Sequence, residues 1–157
     1  MSNSSSASSS TAALAATRRM ARHYAMQGLY QWQMAGASLN AIEAEFRVDN
    51  DMTNVDLEYF HDLLHGVPTH LSDIENAFEP FLVERSLKEL DPITRALLRL
   101  ATYEFLHRLD VPYKVVINEA VSLAKKFGAE DSHKFINGVL DKTAAVARAV
   151  EVKANKK

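Results

Sequence analysis

An acid, a hydroxyl and an imidazole, the three side-chain types of a hydrolase triad, stand together in Glu130-Asp131-Ser132-His133-Lys134. These residues read as the start of a helix, where successive side chains point about 100° apart and only residues three or four apart meet. Asp131, Ser132 and His133 therefore cannot align with one another, and triads are in any case assembled from distant segments. Asp131 or Ser132 is expected to cap the helix instead. A second candidate is His61-Asp62-Leu63-Leu64-His65. Histidines at i and i+4 can share a metal ion, as in HExxH zinc helices. Asp62 takes the general-base place here, one methylene shorter than glutamate, and no third ligand follows in sequence. Tyr59, Leu63 and Val67 claim the buried face, so both histidines are expected half-exposed and metal-free. Glycine-rich phosphate loops are absent, and the chain has no cysteine for thiolate chemistry or zinc ligation. No catalytic residue and no cofactor is expected.

The basic residues offer a different chemistry. Arg18, Arg19 and Arg22 cluster at the start of a helix, and Arg18 and Arg22, four apart, share a face. Guanidinium groups match phosphates and stack on bases, which suits single-stranded RNA. Lys134 and Phe135 open the last helix beside its free N–H groups, where one charge and one exposed ring could hold a nucleotide. The periodicity also allows Phe135 to lie in the core, which would leave the lysine alone.

The elements that must position these residues are helices. Five glycines and four prolines in 157 residues leave few turn-formers. Apolar residues recur at helical spacing from Arg18 to about Met34, and Gly36 follows as a stop. Ser38 can cap a second helix, and Thr53 or Asn54 a third. Pro68 fits the first turn of a fourth helix, which Pro80 ends, and Asp91-Pro92 opens a fifth. A sixth runs from about Val115 to Phe127, with two lysines and then Gly128 as a left-handed cap. The fold class is all-α, a compact bundle of about seven helices. Residues 1–17, rich in serine and alanine and uncharged, are expected to be a disordered tail. Residues 18–150 are expected to form a single helical domain, and 151–157 a flexible basic end.

Charge is unevenly spread. Residues 1–36 hold three arginines and no acid, 37–91 hold 13 acids and three basic residues, and 92–157 hold 12 basic residues and seven acids. An acidic middle between basic ends implies one surface for polyanions and another that repels them. No apolar run approaches the roughly 18 residues of a membrane span, so no membrane association is expected.

Residues 111–142, VPYKVVINEAVSLAKKFGAEDSHKFINGVLDK, resemble the C-terminal signature of the NusB transcription antitermination family. Residues 18–33, RRMARHYAMQGLYQWQ, are similar to its arginine-led first helix. The segments from Asp62 to Val67 and from Asp91 to Lys114 fit as well, so the resemblance runs over about 18–142. It implies a cytoplasmic, all-helical RNA-binding adaptor and not an enzyme. The expected RNA is the boxA element of ribosomal RNA operon leaders. The expected partners are NusE, a small-subunit ribosomal protein, and the antitermination complex on RNA polymerase. Carried over by position, the RNA-binding residues are Arg18, Arg19, Arg22, Asp131, Lys134 and Phe135, and the NusE-facing candidates are Tyr30, Arg99 and Glu104. Met20 interrupts the arginine cluster, which makes dependence on NusE part of the expectation. A homodimer is left open, as is a protein–protein adaptor without RNA specificity of its own. The fold also resembles the N-terminal domain of certain RNA cytosine methyltransferases. With about 15 residues beyond the matching run, no catalytic domain is expected here.

Overall fold

The computed structural model describes residues 3–156, with side chains described from residue 11 onward. The described residues form eight α-helices and no strand. These are α1 (Asn3–Ala35), α2 (Leu39–Asp49), α3 (Leu57–Thr69), α4 (Leu71–Phe78), α5 (Pro92–His107), α6 (Tyr113–Phe127), α7 (Ser132–Ala147) and α8 (Ala149–Asn155). Two 3₁₀ turns, Glu79–Phe81 and Leu87–Glu89, lie between α4 and α5. No described helix is long and apolar enough to cross a membrane. The chain divides into two compact units, Met1–His65 and Gly66–Lys157.

In the first unit, α1 buries Ala21, Ala25, Met26 and Leu29, α2 adds Ile42 and Phe46, and α3 adds Tyr59, Phe60, Leu63 and Leu64. Helix α1 begins well before Arg18, where the sequence led us to expect a disordered tail. No glycine or proline interrupts residues 1–27, and the alanines favour helix, so nothing stops the helix from extending backward. Residues 11–16 of that extension are exposed. Gly36 ends α1 at φ +65°, as expected of a left-handed terminator. Ser38 caps α2 by accepting from the Ala41 N–H. The cap of α3 is Asp56, whose carboxylate accepts from the Tyr59 N–H at 3.0 Å, and not Thr53 or Asn54. Thr53 is instead held by Asp51 in a local turn.

In the second unit, α5 is the central element, packed by α4, α6 and α7. Eleven of its 16 residues are buried, from Thr94 to Phe105 with Arg95 excepted. A helix buried on all sides must satisfy its polar side chains internally. Asp91 caps α5 through the Thr94 N–H at 2.9 Å. Pro68 does not open α4 but lies in the last turn of α3, where its missing N–H costs one hydrogen bond of the closing turn. Gly66 is required by close approach, because a Cβ there would strike the Tyr103 ring. Gly128 ends α6 in an extended conformation, not a left-handed one. Its missing side chain leaves room for the Ser132 hydroxyl and the Ala124 carbonyl.

The end of the chain is anchored where the sequence suggested flexibility. Arg148, 7% exposed, donates to the carbonyls of Glu104, Phe105 and Arg108 at the end of α5 and of Val111 in the following turn. It also pairs with Glu151 at 2.6 Å. Glu151 in turn accepts the Tyr113 N–H at 2.9 Å, capping α6 from α8. One guanidinium thus occupies orphan carbonyls of one helix end, and one carboxylate an orphan N–H of the next helix start. Val152 is buried as well, so α8 is fastened through Glu151 and Val152, while residues 153–156 are exposed.

Candidate nucleic-acid interface

Helical spacing brings Arg18 and Arg22 onto one face of α1, as expected, but that face is covered. The Arg18 guanidinium lies 4.5 Å from the centroid of the Tyr59 ring, and the Arg22 guanidinium 5.3 Å. Arg18 also approaches Asp56 at 3.7 Å. The Tyr59 ring is buried, and Arg22 is 3% exposed. Arg22 is therefore packed inside the unit, contrary to its expected place on an open surface. The cause is Asp56: by capping α3 it sets Tyr59 in the first turn, against the arginine face. Arg19, about 100° around the helix, is exposed.

On α3, two and six residues beyond Tyr59, the two histidines meet a residue that their sequence neighbourhood does not contain. Glu43 of α2 places Oε1 at 2.7 Å from His61 Nδ1 and 2.8 Å from His65 Nε2. Its other oxygen holds Arg47 at 2.7 Å. The imidazoles stack, with centroids 4.2 Å apart. Burial pulls the Glu43 carboxyl upward, but the hydrogen bonds from His61 and His65 and the charges around it outweigh this and hold it below its ordinary value. Nothing near His61 in sequence signals Glu43, which lies 18 residues earlier on another helix.

In the second unit, the start of α7 lines a cleft of about 320 Å³ with Phe81, Arg85, Lys134, Phe135, Gly138 and Lys142 among its walls. Phe135 is half-buried and its neighbour Ile136 fully buried, so the core position belongs to Ile136. The Arg85 guanidinium stands 4.4 Å from the Phe135 centroid. Lys134 projects into solvent, its side chain 72% exposed, and pairs with Asp131 at 3.3 Å. Asp131 holds a left-handed conformation, φ +65°, and neither it nor Ser132 gives α7 the side-chain cap expected of them. Glu84, beside Arg85, is also left-handed at φ +57°. Such conformations cost a side-chain-bearing residue about 1 kcal/mol or more, and here they flank the two cationic walls of one cleft.

Arg85 and Lys142 join this cleft without having been singled out from sequence. Lys142 repeats the four-residue step from Lys134 through Gly138, a visible signal. Arg85 lies in the irregular stretch between the 3₁₀ turns, where periodicity says nothing. Of the residues expected to face a partner, Tyr30 is exposed at 38%. Arg99 and Glu104 are not at the surface: Arg99 is 8% exposed and pairs with Glu75 at 3.4 Å, and Glu104 is 0% exposed. Both lie on α5, whose burial on all sides leaves no open face. Burial lowers the Arg99 pKa from its usual range, with Glu75 opposing it.

Known proteins resemble this chain in sequence and in fold. The NusB family matches residues 19–145. A transcription antitermination protein NusB of Teredinibacter turnerae is 64% identical over 140 residues, covering 89% of this chain and 95% of that protein. Among solved structures, NusB of T. maritima superposes with a TM-score of 0.73 at 33% identity, over 82% of this chain and 91% of that one. A chain from a crystal structure of antitermination factors NusB and NusE in complex with dsRNA gives 0.66 at 28% identity, over 81% and 95%. With the match spanning α1 through most of α7, the chain belongs to the NusB family, a family of transcription antitermination proteins and not of enzymes.

Proposed function

We propose that this protein acts in transcription antitermination in the cytoplasm, binding boxA RNA of ribosomal RNA operon leaders together with NusE. In this role residues 18–150 work as one RNA-binding domain that helps load the antitermination complex onto RNA polymerase. The observation that carries the reading is the cleft at the start of α7, where three cationic side chains surround a half-buried aromatic ring. That combination fits single-stranded RNA: Lys134, Lys142 and Arg85 neutralise phosphate, and Phe135 with the guanidinium over it offers a stacking surface. Asp131, exposed at the rim, can accept from a base amino group, the kind of contact that reads sequence. Arg19 and the partly exposed Arg18, in the first unit, offer phosphate contacts of their own. Arg22, being buried, acts by holding Tyr59 and the turn that presents them. The relative solved with NusE and dsRNA supports both partners for this family member, and exposed Tyr30 is the residue we assign to the NusE side.

The test is a binding titration with a boxA RNA and a scrambled RNA of equal length, at two salt concentrations, with and without NusE. Preference for boxA that NusE strengthens and salt weakens is the expected result, with log affinity falling by about 0.7 per neutralised phosphate for each log unit of salt. Recovery of NusE with equal affinity for both RNAs would favour a protein–protein adaptor. Equal weak binding that ignores NusE would overturn the reading.

A further inference from the structure

We propose that Glu43, His61 and His65 form a binding site for a zinc-class divalent cation that staples α2 to α3. The three ligating atoms, Glu43 Oε1, His61 Nδ1 and His65 Nε2, lie within 4.8 Å of one another. Two imidazoles at i and i+4 with one carboxylate are a known zinc donor set, and it leaves a fourth tetrahedral position for water. Tetrahedral zinc with bonds of about 2.0–2.1 Å holds its ligand atoms roughly 3.3 Å apart. The hydrogen-bonded separations of 2.7 and 2.8 Å open by about half an ångström to meet this, and the two ring nitrogens, within 4.8 Å of each other, settle to the same spacing. The ion takes the place of the protons that join the two rings to Glu43, and these leave for the opposite ring nitrogen or for solvent.

The surroundings fit this use. Arg47 grips the outer oxygen of Glu43 at 2.7 Å, fixing the carboxylate so that Oε1 alone faces the histidines. Such supporting contacts orient metal ligands. Glu43 side-chain exposure is 11% and that of His65 24%, while His61, at 55%, gives an ion an open approach. Imidazole nitrogen favours zinc, nickel and copper over magnesium or calcium. Tyr59, which carries Arg18 and Arg22, lies two residues before His61 on the same helix, so the ion would stiffen the element that supports the arginines. The proposal does not depend on the RNA reading, because its readout is metal binding and not RNA affinity.

The experiment uses the full chain, stripped with a chelator and desalted, titrated calorimetrically with zinc chloride and, separately, magnesium chloride. The expected result is saturation at about one zinc per chain, no magnesium binding at the same concentrations, and a thermal midpoint that rises with zinc. Visible d–d absorption on cobalt substitution reports the coordination directly. His61→Ala abolishes binding while helicity by circular dichroism is kept, because that ring is largely exposed. Arg47→Ala weakens binding roughly 10-fold. Absence of saturable zinc binding would overturn the proposal. So would binding that survives unchanged in the His61→Ala, His65→Ala double variant, which would place the ion at the other histidines.

Discussion

At the first turns of α1 after the serine-rich segment, two guanidiniums lie over one buried tyrosine ring, and one of them reaches Asp56. At the start of α7, cations stand around a half-buried phenylalanine ring, and the lysine beside it is mostly in solvent. Both regions combine positive charge with an aromatic ring, yet they use it differently. In the first, the charges are absorbed into packing, so changing them disturbs the fold before it disturbs binding. In the second, the ring and the charges face an open cleft, so changing them reaches a ligand first. Residue type alone would rate the arginine cluster as the stronger RNA site. Burial reverses that order, leaving Arg19 as the one exposed residue of the three.

The sharpest way to break this contrast is to remove each ring. Tyr59→Ala is expected to lower stability by about 3–5 kcal/mol, as measured by denaturant unfolding, because it empties a buried site under two guanidiniums. Phe135→Ala should cost only about 1 kcal/mol of stability, since half the ring is already in solvent. If the two variants unfold alike, the distinction between packed and open regions is wrong. The frame behind α7 can be tested in the same way: Arg148→Ala strips four carbonyls and Glu151 of their partner and is expected to cost about 3 kcal/mol. In RNA titrations, Phe135→Ala should lose about 1–3 kcal/mol of affinity, the usual value of a stacked base. Arg22→Ala, judged only on the fraction that remains folded, should lose less.

The smallest effect expected is one of pH. Burial raises the Glu151 carboxyl, but the Tyr113 N–H and Arg148 more than offset it and hold it below the ordinary value of 4.5. A carboxyl lowered in the folded state contributes stability above its unfolded pKa and loses it as pH falls through the folded one. Stability of the protein should therefore decline below about pH 4.5, and Glu151→Gln should flatten that decline while lowering stability at neutral pH. An unchanged acid limb in the variant would remove Glu151 from the clasp.

Much of the frame was legible in the sequence because its signals are local. Ser38, Asp91 and Gly36 act as the caps and stop that their types and positions announce. What was missed depended on contacts distant in sequence. Asp56 caps α3 although Thr53 and Asn54 are equally good cap types, and only the fold decides among them. Pro68 reads as a helix start, but a proline is also tolerated where a helix is about to end. The end of the chain looked flexible because nothing local shows that Arg148 reaches back to α5. Arg99 and Glu104 looked like surface residues because charged side chains usually are, and a helix surrounded on every side gives periodicity no outer face to mark. Of the candidate site, Lys134 and Phe135 could be read from their place at a helix start, whereas Arg85 required the fold.

The most direct test of the open cleft is the salt dependence of RNA binding by Lys134→Ala, Lys142→Ala and the double variant, beside the unmodified protein. Each single change should reduce the slope of log affinity against log salt by about one or slightly less, weaken binding on boxA and scrambled RNA alike, and leave the unfolding midpoint unmoved. An unchanged slope and affinity in the double variant would mean that RNA does not enter this cleft, and the central assignment would fall.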